Sequence, residues 1–223
     1  MDGNTAPSPE PGGRVVRAEL LDSLPHDDPG AIRSRRDLRR INALMGNDRW
    51  ILRTIDRFPE AAARGIVELG AGEGALAAKL ARRFPDAEIS ACDLAPRPTG
   101  LVPRVRWIQG DVFRHEPPAG GVVVANLFLH HFEGPLLEAL GRFCGACEAL
   151  VFCEPHRGTL PHLLGGLIRP FVDPVTRHDM HVSIRAGFTR GELPRMMGLN
   201  GEHWKIEETS TWRGSRRVLA YRA

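Results

Sequence analysis

The sequence lacks long apolar runs and carries little net charge, and both features narrow the classes of protein to which it can belong. No run of about 18 apolar residues is present, so no membrane span is predicted. The first fifteen residues lack the charged start and apolar middle of a secretory signal. The formal net charge of +3 falls short of the basic surface expected of a dedicated nucleic-acid-binding protein. We therefore expect a cytoplasmic protein with neither a membrane span nor a nucleic-acid partner.

Cysteine is also scarce. The four cysteines lie mostly inside apolar runs, where a free thiol behaves as a small apolar side chain. Cys144 and Cys147 have the spacing of half a zinc site or of a redox pair, but no second pair follows them. We therefore expect no structural disulfide and favour a packing role for these thiols.

The length of 223 residues fits one domain with modest appendages. Residues 1–13 hold three prolines and three glycines and almost no large apolar residue, which predicts a disordered tail. Residues 14–60 are predicted to form an N-terminal helical cap. Residues 61–223 are predicted to form the main domain.

Two helices are predicted within the cap, over residues 32–45 and 48–57. Gly46 supplies a stop for the first helix, and Pro59 is expected to end the second. Five arginines on the first helix could meet phosphate groups, but a solvated face is the more common arrangement and is the one we favour. These arginines are Arg33, Arg35, Arg36, Arg39 and Arg40.

Beyond the cap, short runs rich in β-branched residues alternate with helical stretches. This alternation predicts an α/β fold whose strands are buried on both faces of a parallel sheet. A closing antiparallel hairpin is predicted at the end of the chain. The predicted strands cover residues 65–69, 88–92, 105–109, 122–125 and 150–153, and those of the hairpin cover residues 203–208 and 217–222.

A glycine-rich turn joins the first strand to a helix over residues 75–84, with Gly70, Gly72 and Gly74 in the turn. Glycine permits a positive φ and lets a ligand lie against bare backbone, and the start of the helix offers unpaired amide donors. A purely structural turn also needs glycine, so the turn alone is weak evidence of a ligand site.

Polar side chains end the next three strands and strengthen that evidence. Asp93 follows Gly74 by nineteen positions, and its carboxylate suits a ribose diol because it can accept two hydroxyl hydrogen bonds. Asp111 and Asn126 end the two strands after it. Because ligands of open α/β sheets bind outside the carboxyl ends of the strands, these groups are expected to line one crevice.

These four stretches resemble the class I methyltransferase family that uses S-adenosylmethionine, over residues 64–154. The resemblance implies a Rossmann-like, mainly parallel seven-stranded sheet with helices on both faces and an antiparallel last strand. It also implies S-adenosylmethionine as the cofactor, and we favour a small, hydrophobic or phenolic acceptor methylated on oxygen. The residues implied in binding the cofactor are Glu68, Gly70 and Gly72 at the methionine end, Gly74, Asp93 at the ribose with Leu94 beside it, Asp111 and Val112 at the adenine, and Asn126 near the sulfonium.

Other functions remain open at this point. A nicotinamide-dependent oxidoreductase shares a glycine turn and a distal acid, but Gly74 comes one residue early for G-x-G-x-x-G and no second mononucleotide-binding half follows. A catalytically silent cofactor-binding partner, or methylation of carbon or nitrogen, fits the same residues. Asn126 is not followed by the Pro-Pro-aromatic sequence of enzymes that methylate nucleobase amino groups.

The segment 155–190 is predicted to form a substrate lid. Its part from 171 to 188 is too polar for an ordinary crossover helix, and within it His178 is the leading candidate for a base that activates a hydroxyl. Arg177 or Arg185 is expected to orient an acidic or phenolate acceptor. The alternative bases are His130 and His131, and the alternative for His178 is a surface loop with local hydrogen bonds. No divalent metal is expected, since the acids are assigned to the cofactor and no further oxygen cluster is evident.

Overall fold

Seven strands form one mixed sheet in the computed structural model, which describes residues 13–25, 27–115 and 120–223. The strand order is β3-β2-β1-β4-β5-β7-β6, with β1 to β5 parallel and β7 antiparallel to both of its neighbours. This topology confirms the predicted fold. The strands are β1 Ile66–Leu69, β2 Ile89–Asp93, β3 Val105–Gln109, β4 Val122–Asn126, β5 Ala149–Pro155, β6 Trp204–Ser210 and β7 Ser215–Arg222.

Helices cover both faces of the sheet. Four of them precede the sheet: α1 Leu20–Ser23, α2 Pro29–Met45, α3 Asn47–Ile55 and α4 Pro59–Arg64. The others are α5 Ala75–Arg83, α6 Gly134–Phe143, α7 Thr159–Ile168, α8 Pro174–Ala186 and α9 Glu192–Met196. Within the described ranges, none of these helices is both long and apolar enough to cross a bilayer.

Alternate residues of the central strands point into two separate cores. Ile66 and Val124 pack with the apolar sides of α3, α4 and α5, whereas Val67 and Val123 pack with α6 and α9. The β-branched runs are buried throughout because both faces are covered. Strands β1 to β3 follow one another toward one edge of the sheet, and β4 and β5 toward the other, so the strand order reverses between β1 and β4. In such sheets the ligand crevice lies at the carboxyl ends of the two strands where the order reverses.

The cap contains more helix than was predicted. Gly46 ends α2 in the left-handed conformation at φ +68°, as expected. Pro59, by contrast, does not end the second helix, which stops earlier at Ile55. It begins α4 as its first residue, a position where the missing amide hydrogen costs nothing. Of the predicted tail, residues 1–12 lie outside the described residues.

The expectation that residues 171–188 are too polar to form an ordinary helix is wrong, because most of this segment is helix α8. Asp173 caps the helix by accepting a hydrogen bond from the Val175 amide at 3.0 Å. The buried face of α8 includes polar residues, with the Thr176 hydroxyl 3.0 Å from the Ser34 hydroxyl of α2. A search for apolar periodicity misses a helix whose buried face is partly polar.

The arginine-rich face of α2 is largely solvated, as we favoured, because four of its five arginines are exposed, but it also forms ion pairs. Arg33 pairs with Asp173 at 2.7 Å, and Arg39 pairs with Glu73 of the glycine turn at 2.5 Å. Arg35 lies 3.8 Å from Glu73 as well. Helix α2 is therefore tied to the glycine turn and to α8 by charge.

All four cysteines are buried, and none of them forms a disulfide. Burial raises the pKa of Cys147 and of Cys92 to about 11, so neither is a reactive thiolate at neutral pH. These observations agree with the expected packing role.

Candidate cofactor and acceptor site

The glycine turn has the backbone that only glycine adopts readily. Gly70, Gly72 and Gly74 have φ values of +66°, +53° and +70°. The three differ in what surrounds them: a Cβ on Gly70 would lie 2.1 Å from the Phe128 ring, whereas a Cβ on Gly72 would meet nothing within 4 Å. Gly70 is therefore required by packing inside the protein, and Gly72 faces open space that a ligand can occupy.

Glu68, one residue before the end of β1, carries a buried carboxyl group with an unused acceptor atom. The residue is only 3% exposed, and its Oε2 has no hydrogen-bond partner among the described residues. Burial, and to a lesser extent the charge of Asp48, raises the pKa of Glu68 well above its usual value, although the Ala77 amide donates to the carboxyl group. A buried acceptor without a donor fits the amino group of a methionine moiety.

Asp93 stands beside this turn and holds it in shape. Its carboxylate accepts hydrogen bonds from the Gly72 amide at 2.7 Å and from the Ala95 amide at 2.9 Å. A carboxylate has about four acceptor positions, so capacity remains for two ribose hydroxyls. Leu94 follows with 76% of its surface exposed and offers an apolar flank next to the carboxylate.

Asp111 and Val112 contribute in different ways. The exposed Asp111 accepts from the Phe113 amide at 3.1 Å and so caps the short helical turn Val112–Arg114. Val112 itself is buried in the core formed with α6 and α9, so its side chain packs inside the protein. Only Asp111 presents a side-chain polar group at this position.

The end of β4 is contacted by a cap residue that sequence reasoning missed. Asn126 accepts a hydrogen bond at 3.1 Å from the side-chain amide of Asn47, a fully buried residue at the start of α3. The Asn47 Oδ1 has no partner in the part of the chain that the structure describes. Leu127 then takes a positive φ of 58°, which is rare for a residue with a side chain and bends the chain away from β4.

After this bend, His130 forms a buried pair with Glu154 at the end of β5. His130 Nδ1 lies 2.8 Å from Glu154 Oε2, and Glu154 also accepts from the amides of Phe128 and Leu129 at 3.0 and 2.8 Å. Burial is the largest influence and lowers the pKa of His130, but the hydrogen bonds to Glu154 and Glu19 outweigh it and the result is about 9. Nothing in the sequence marked Glu154 as a site residue except its position just after a predicted strand.

The N-terminal segment, residues 14–19, also contacts His130 and His131, although no sequence pattern indicated that it would. Glu19 Oε1 lies 3.4 Å from His130 Nε2 and 3.5 Å from His131 Nε2. Arg14 donates to the backbone carbonyls of Phe132 and His130 at 2.6 and 2.7 Å and so fastens the segment over the turn. The His131 ring is 6.4 Å from the Phe128 ring, which is the ring packed against Gly70. The histidines therefore adjoin the glycine turn.

The predicted lid residues are placed on α8. His178 is 46% exposed at its side chain, and its Nδ1 lies 3.0 Å from Asp179. Arg177 donates to the Val172 carbonyl at 3.1 Å, and Arg185 is exposed. These contacts place none of the three against Asn126 or the glycine turn, so their catalytic and binding roles remain predictions.

The fold and the strand-end groups together define an α/β protein of the class I methyltransferase type. Residues 30–150, more than half of the chain, match the family described as the O-methyltransferase domain. The chain belongs to this O-methyltransferase domain family, which confirms the predicted resemblance.

Two relatives show how far this similarity extends. Acetylserotonin O-methyltransferase of Rattus norvegicus is 32% identical over 198 residues, which cover 77% of this chain and 46% of the rat protein. An uncharacterized methyltransferase of Mycobacterium bovis is 35% identical over 112 residues, covering 44% of this chain and 56% of its own length. The chain thus spans about half the length of these relatives.

Solved structures share the fold at low sequence identity. The plantazolicin methyltransferase BpumL, solved with a triazolic desmethylPZN analog and SAH, has a TM-score of 0.72 at 11% identity and covers 91% of this chain and 93% of its own. Human N-acetylserotonin methyltransferase, solved with SAM, has a TM-score of 0.57 at 16% identity over 92% of this chain and 63% of its own.

Proposed function

We propose that this protein transfers the methyl group of S-adenosylmethionine to an oxygen atom of a small, hydrophobic or phenolic acceptor. The observation that carries the cofactor assignment is the buried Glu68 carboxyl group, whose Oε2 lacks a donor among the described residues. The amino group of the cofactor would supply both the missing donor and a positive charge. Family membership, together with the acetylserotonin O-methyltransferase relatives, favours oxygen as the accepting atom.

The remaining cofactor contacts follow from the strand ends. The space over Gly72 would admit the ligand against the backbone, and Asp93 would accept from the ribose hydroxyls. Asp111 would accept from the adenine amino group, while Asn126, held by Asn47, would line the floor of the crevice. Bound S-adenosylmethionine supplies a methyl group on a sulfonium, an excellent leaving group, so the protein mainly has to align the acceptor.

We place the proton acceptor at His130 rather than at His178. Glu154 orients the His130 ring through Nδ1, so its Nε2 faces the place now taken by the Glu19 carboxylate. A histidine backed by a buried carboxylate is the usual arrangement of a general base. An acceptor hydroxyl that replaces Glu19 at Nε2 removes one of the two hydrogen bonds that raise the pKa of His130. With Glu19 displaced and the pKa lowered, the His130 ring would release its Nε2 proton to solvent. The free Nε2 would then take the proton of the acceptor hydroxyl as the methyl group moves from sulfur to oxygen.

The direct test is a mass-spectrometric search for methylated product. Purified protein is incubated with S-adenosylmethionine and a panel of phenols and hydroxyindoles, each matched by an amine or thiol of the same shape. We expect product from hydroxyl compounds and none from their matched analogues. Product only from carbon or nitrogen acceptors would contradict the assignment to oxygen. Tight cofactor binding with no product from the whole panel would instead identify a catalytically silent partner protein.

A further inference from the structure

We propose that Glu19, His130 and His131 form a binding site for a zinc ion, and that zinc in this site inhibits methyl transfer. The three residues bring two imidazole nitrogens and one carboxylate oxygen within 4.8 Å of one another. The sequence predicted no metal because only the oxygen ligands of the cofactor edge were considered, and Glu19 lies 111 positions from His130. The inhibition by zinc rests on the proposed function, whereas the zinc site itself does not.

The Glu19 carboxylate oxygen stands at the distance of a fellow metal ligand from each imidazole nitrogen. Glu19 Oε1 lies 3.4 Å from His130 Nε2 and 3.5 Å from His131 Nε2. A tetrahedral zinc ion with bonds of about 2.0 to 2.2 Å holds its ligand atoms about 3.3 to 3.6 Å apart. The contact with His130 Nε2 is a hydrogen bond, but a longer one than the about 2.7 to 2.9 Å of a strong charge-assisted pair. The carboxylate therefore stands at a ligand's distance from both rings.

Both rings are already turned to present Nε2. The Nδ1 of His130 lies 2.8 Å from the Glu154 carboxylate, and the Nδ1 of His131 lies 3.0 Å from the Phe128 carbonyl. Metal-binding histidines almost always donate their second nitrogen to a carboxylate or a backbone carbonyl in this way, which fixes the tautomer. The Nε2 of His131 is buried and makes no hydrogen bond to any described residue, so it has an unused lone pair aimed at Glu19.

The carboxylate is held in place as firmly as the rings. The amides of Leu20 and Leu21 donate to the buried Asp179 at 2.7 and 3.0 Å and so anchor the chain next to Glu19. The Ser183 hydroxyl donates to Glu19 Oε1. Each of the three ligands thus has its own support, and binding an ion requires little rearrangement.

The local charge and the donor set both favour zinc. The nearby carboxyl groups of Asp22 and Asp179 add to that of Glu19, while the Arg14 guanidinium is directed at backbone carbonyls. Two imidazoles and one carboxylate suit zinc, whereas magnesium and calcium prefer sites made of oxygen. Three protein ligands leave a fourth position for water.

Zinc at this position would occupy the lone pair of His130 Nε2 that the proposed reaction uses to take up a proton. It would also fasten Glu19, and with it the N-terminal segment, in the place assigned to the acceptor hydroxyl. Both effects block methyl transfer, so zinc is expected to inhibit in competition with the acceptor and not with the cofactor.

Calorimetric titration of chelator-treated protein with zinc chloride tests the site without reference to activity. We expect one zinc ion per chain, and at least about tenfold weaker binding in Glu19→Gln and in His131→Ala, each of which removes a ligand. The matched control is His181→Ala, since the His181 and His162 rings lie 5.1 Å apart without belonging to the three-ligand group. This control should bind zinc like the parent, and circular dichroism checks that every variant is folded.

Three results would overturn the site: no zinc binding by the parent, parent-like binding by both ligand variants, or loss of binding in His181→Ala. A second, spectroscopic experiment replaces zinc with cobalt(II). The intensity of the visible absorption of cobalt(II) distinguishes four-coordinate from six-coordinate sites, so a six-coordinate spectrum would also contradict the site. If no acceptor is ever methylated, the zinc titration still decides the site. If zinc binds and turnover is unaffected, the inhibition is refuted and the proposed function is not.

Discussion

Replacing Glu68 by glutamine is expected to stabilise the cofactor-free protein while weakening its affinity for the cofactor. The carboxyl group is buried, its Oε2 has no donor among the described residues, and burial raises its pKa. In the folded protein, Glu68 is therefore either charged without a partner or protonated at a pH above 4.5, its ordinary pKa, and both states cost free energy. Protonation costs about 1.36 kcal/mol per pH unit above that value, so the penalty at pH 7 is at most about 3.4 kcal/mol.

We expect the free energy of unfolding of Glu68→Gln to exceed that of the parent by about 1 to 3 kcal/mol at pH 7. For a chain of this size, that gain corresponds to about 2 to 12 °C in Tm. The pKa is higher in the folded than in the unfolded state, so the parent's penalty shrinks as pH falls from 7. The difference between the two proteins should disappear below about pH 4.5, the ordinary pKa of the group.

The cofactor affinity should change in the opposite direction. Loss of a hydrogen bond between charged groups costs about 1.5 to 3 kcal/mol, or roughly a 10- to 150-fold weaker Kd. Denaturant unfolding at several pH values and calorimetry with S-adenosylmethionine measure the two effects. The matched control is Glu88→Gln, an exposed acid that pairs loosely with Arg106 and should change stability by less than about 0.5 kcal/mol. A less stable Glu68→Gln, or one with unchanged cofactor affinity, would refute the reasoning.

Further substitutions test the other parts of the site. Asp93→Ala should weaken cofactor binding by about 1 to 3 kcal/mol, and parent-like affinity in calorimetry would remove the ribose assignment. Gly72→Val should abolish cofactor binding while keeping the secondary structure. The control is Gly198→Val, where φ is also positive at +68° and a Cβ would meet nothing within 4 Å; it introduces similar backbone strain away from the site and should bind the cofactor normally. His130→Ala should lower kcat about a hundredfold with little change in cofactor affinity, and a loss of turnover confined to His178→Ala would return the base to α8.

The sequence by itself determined the sheet and the cofactor edge because both depend on local patterns. Buried strands are continuous β-branched runs, and the glycine turn and the acid of each strand end stand next to those runs in the chain. The carboxyl ends of parallel strands necessarily meet at one edge, so Glu68, Asp93 and Asn126 could be grouped without coordinates. The family resemblance came from the same short stretches.

The acceptor side could not be found in this way, because its parts come from distant segments. Glu19, His130 and Glu154 belong to the N-terminal segment, a turn after β4 and the end of β5, and no periodicity links them. Helix α8 escaped prediction because Thr176 and Asp179 on its buried face are polar and take hydrogen-bond partners from α2 and α1, which are distant in the sequence.

Tertiary packing also separated residues that look equivalent in sequence. Gly70 and Gly72 occupy the same turn, yet the first is filled by the Phe128 ring and the second is open. His178 and His130 both lie against a buried carboxylate, but only the His130 ring is itself buried, whereas the His178 side chain is 46% exposed. The sequence determined which groups were available. Burial and long-range contacts decided which of them are filled by neighbouring side chains and which stay open, because both depend on segments that meet only after folding.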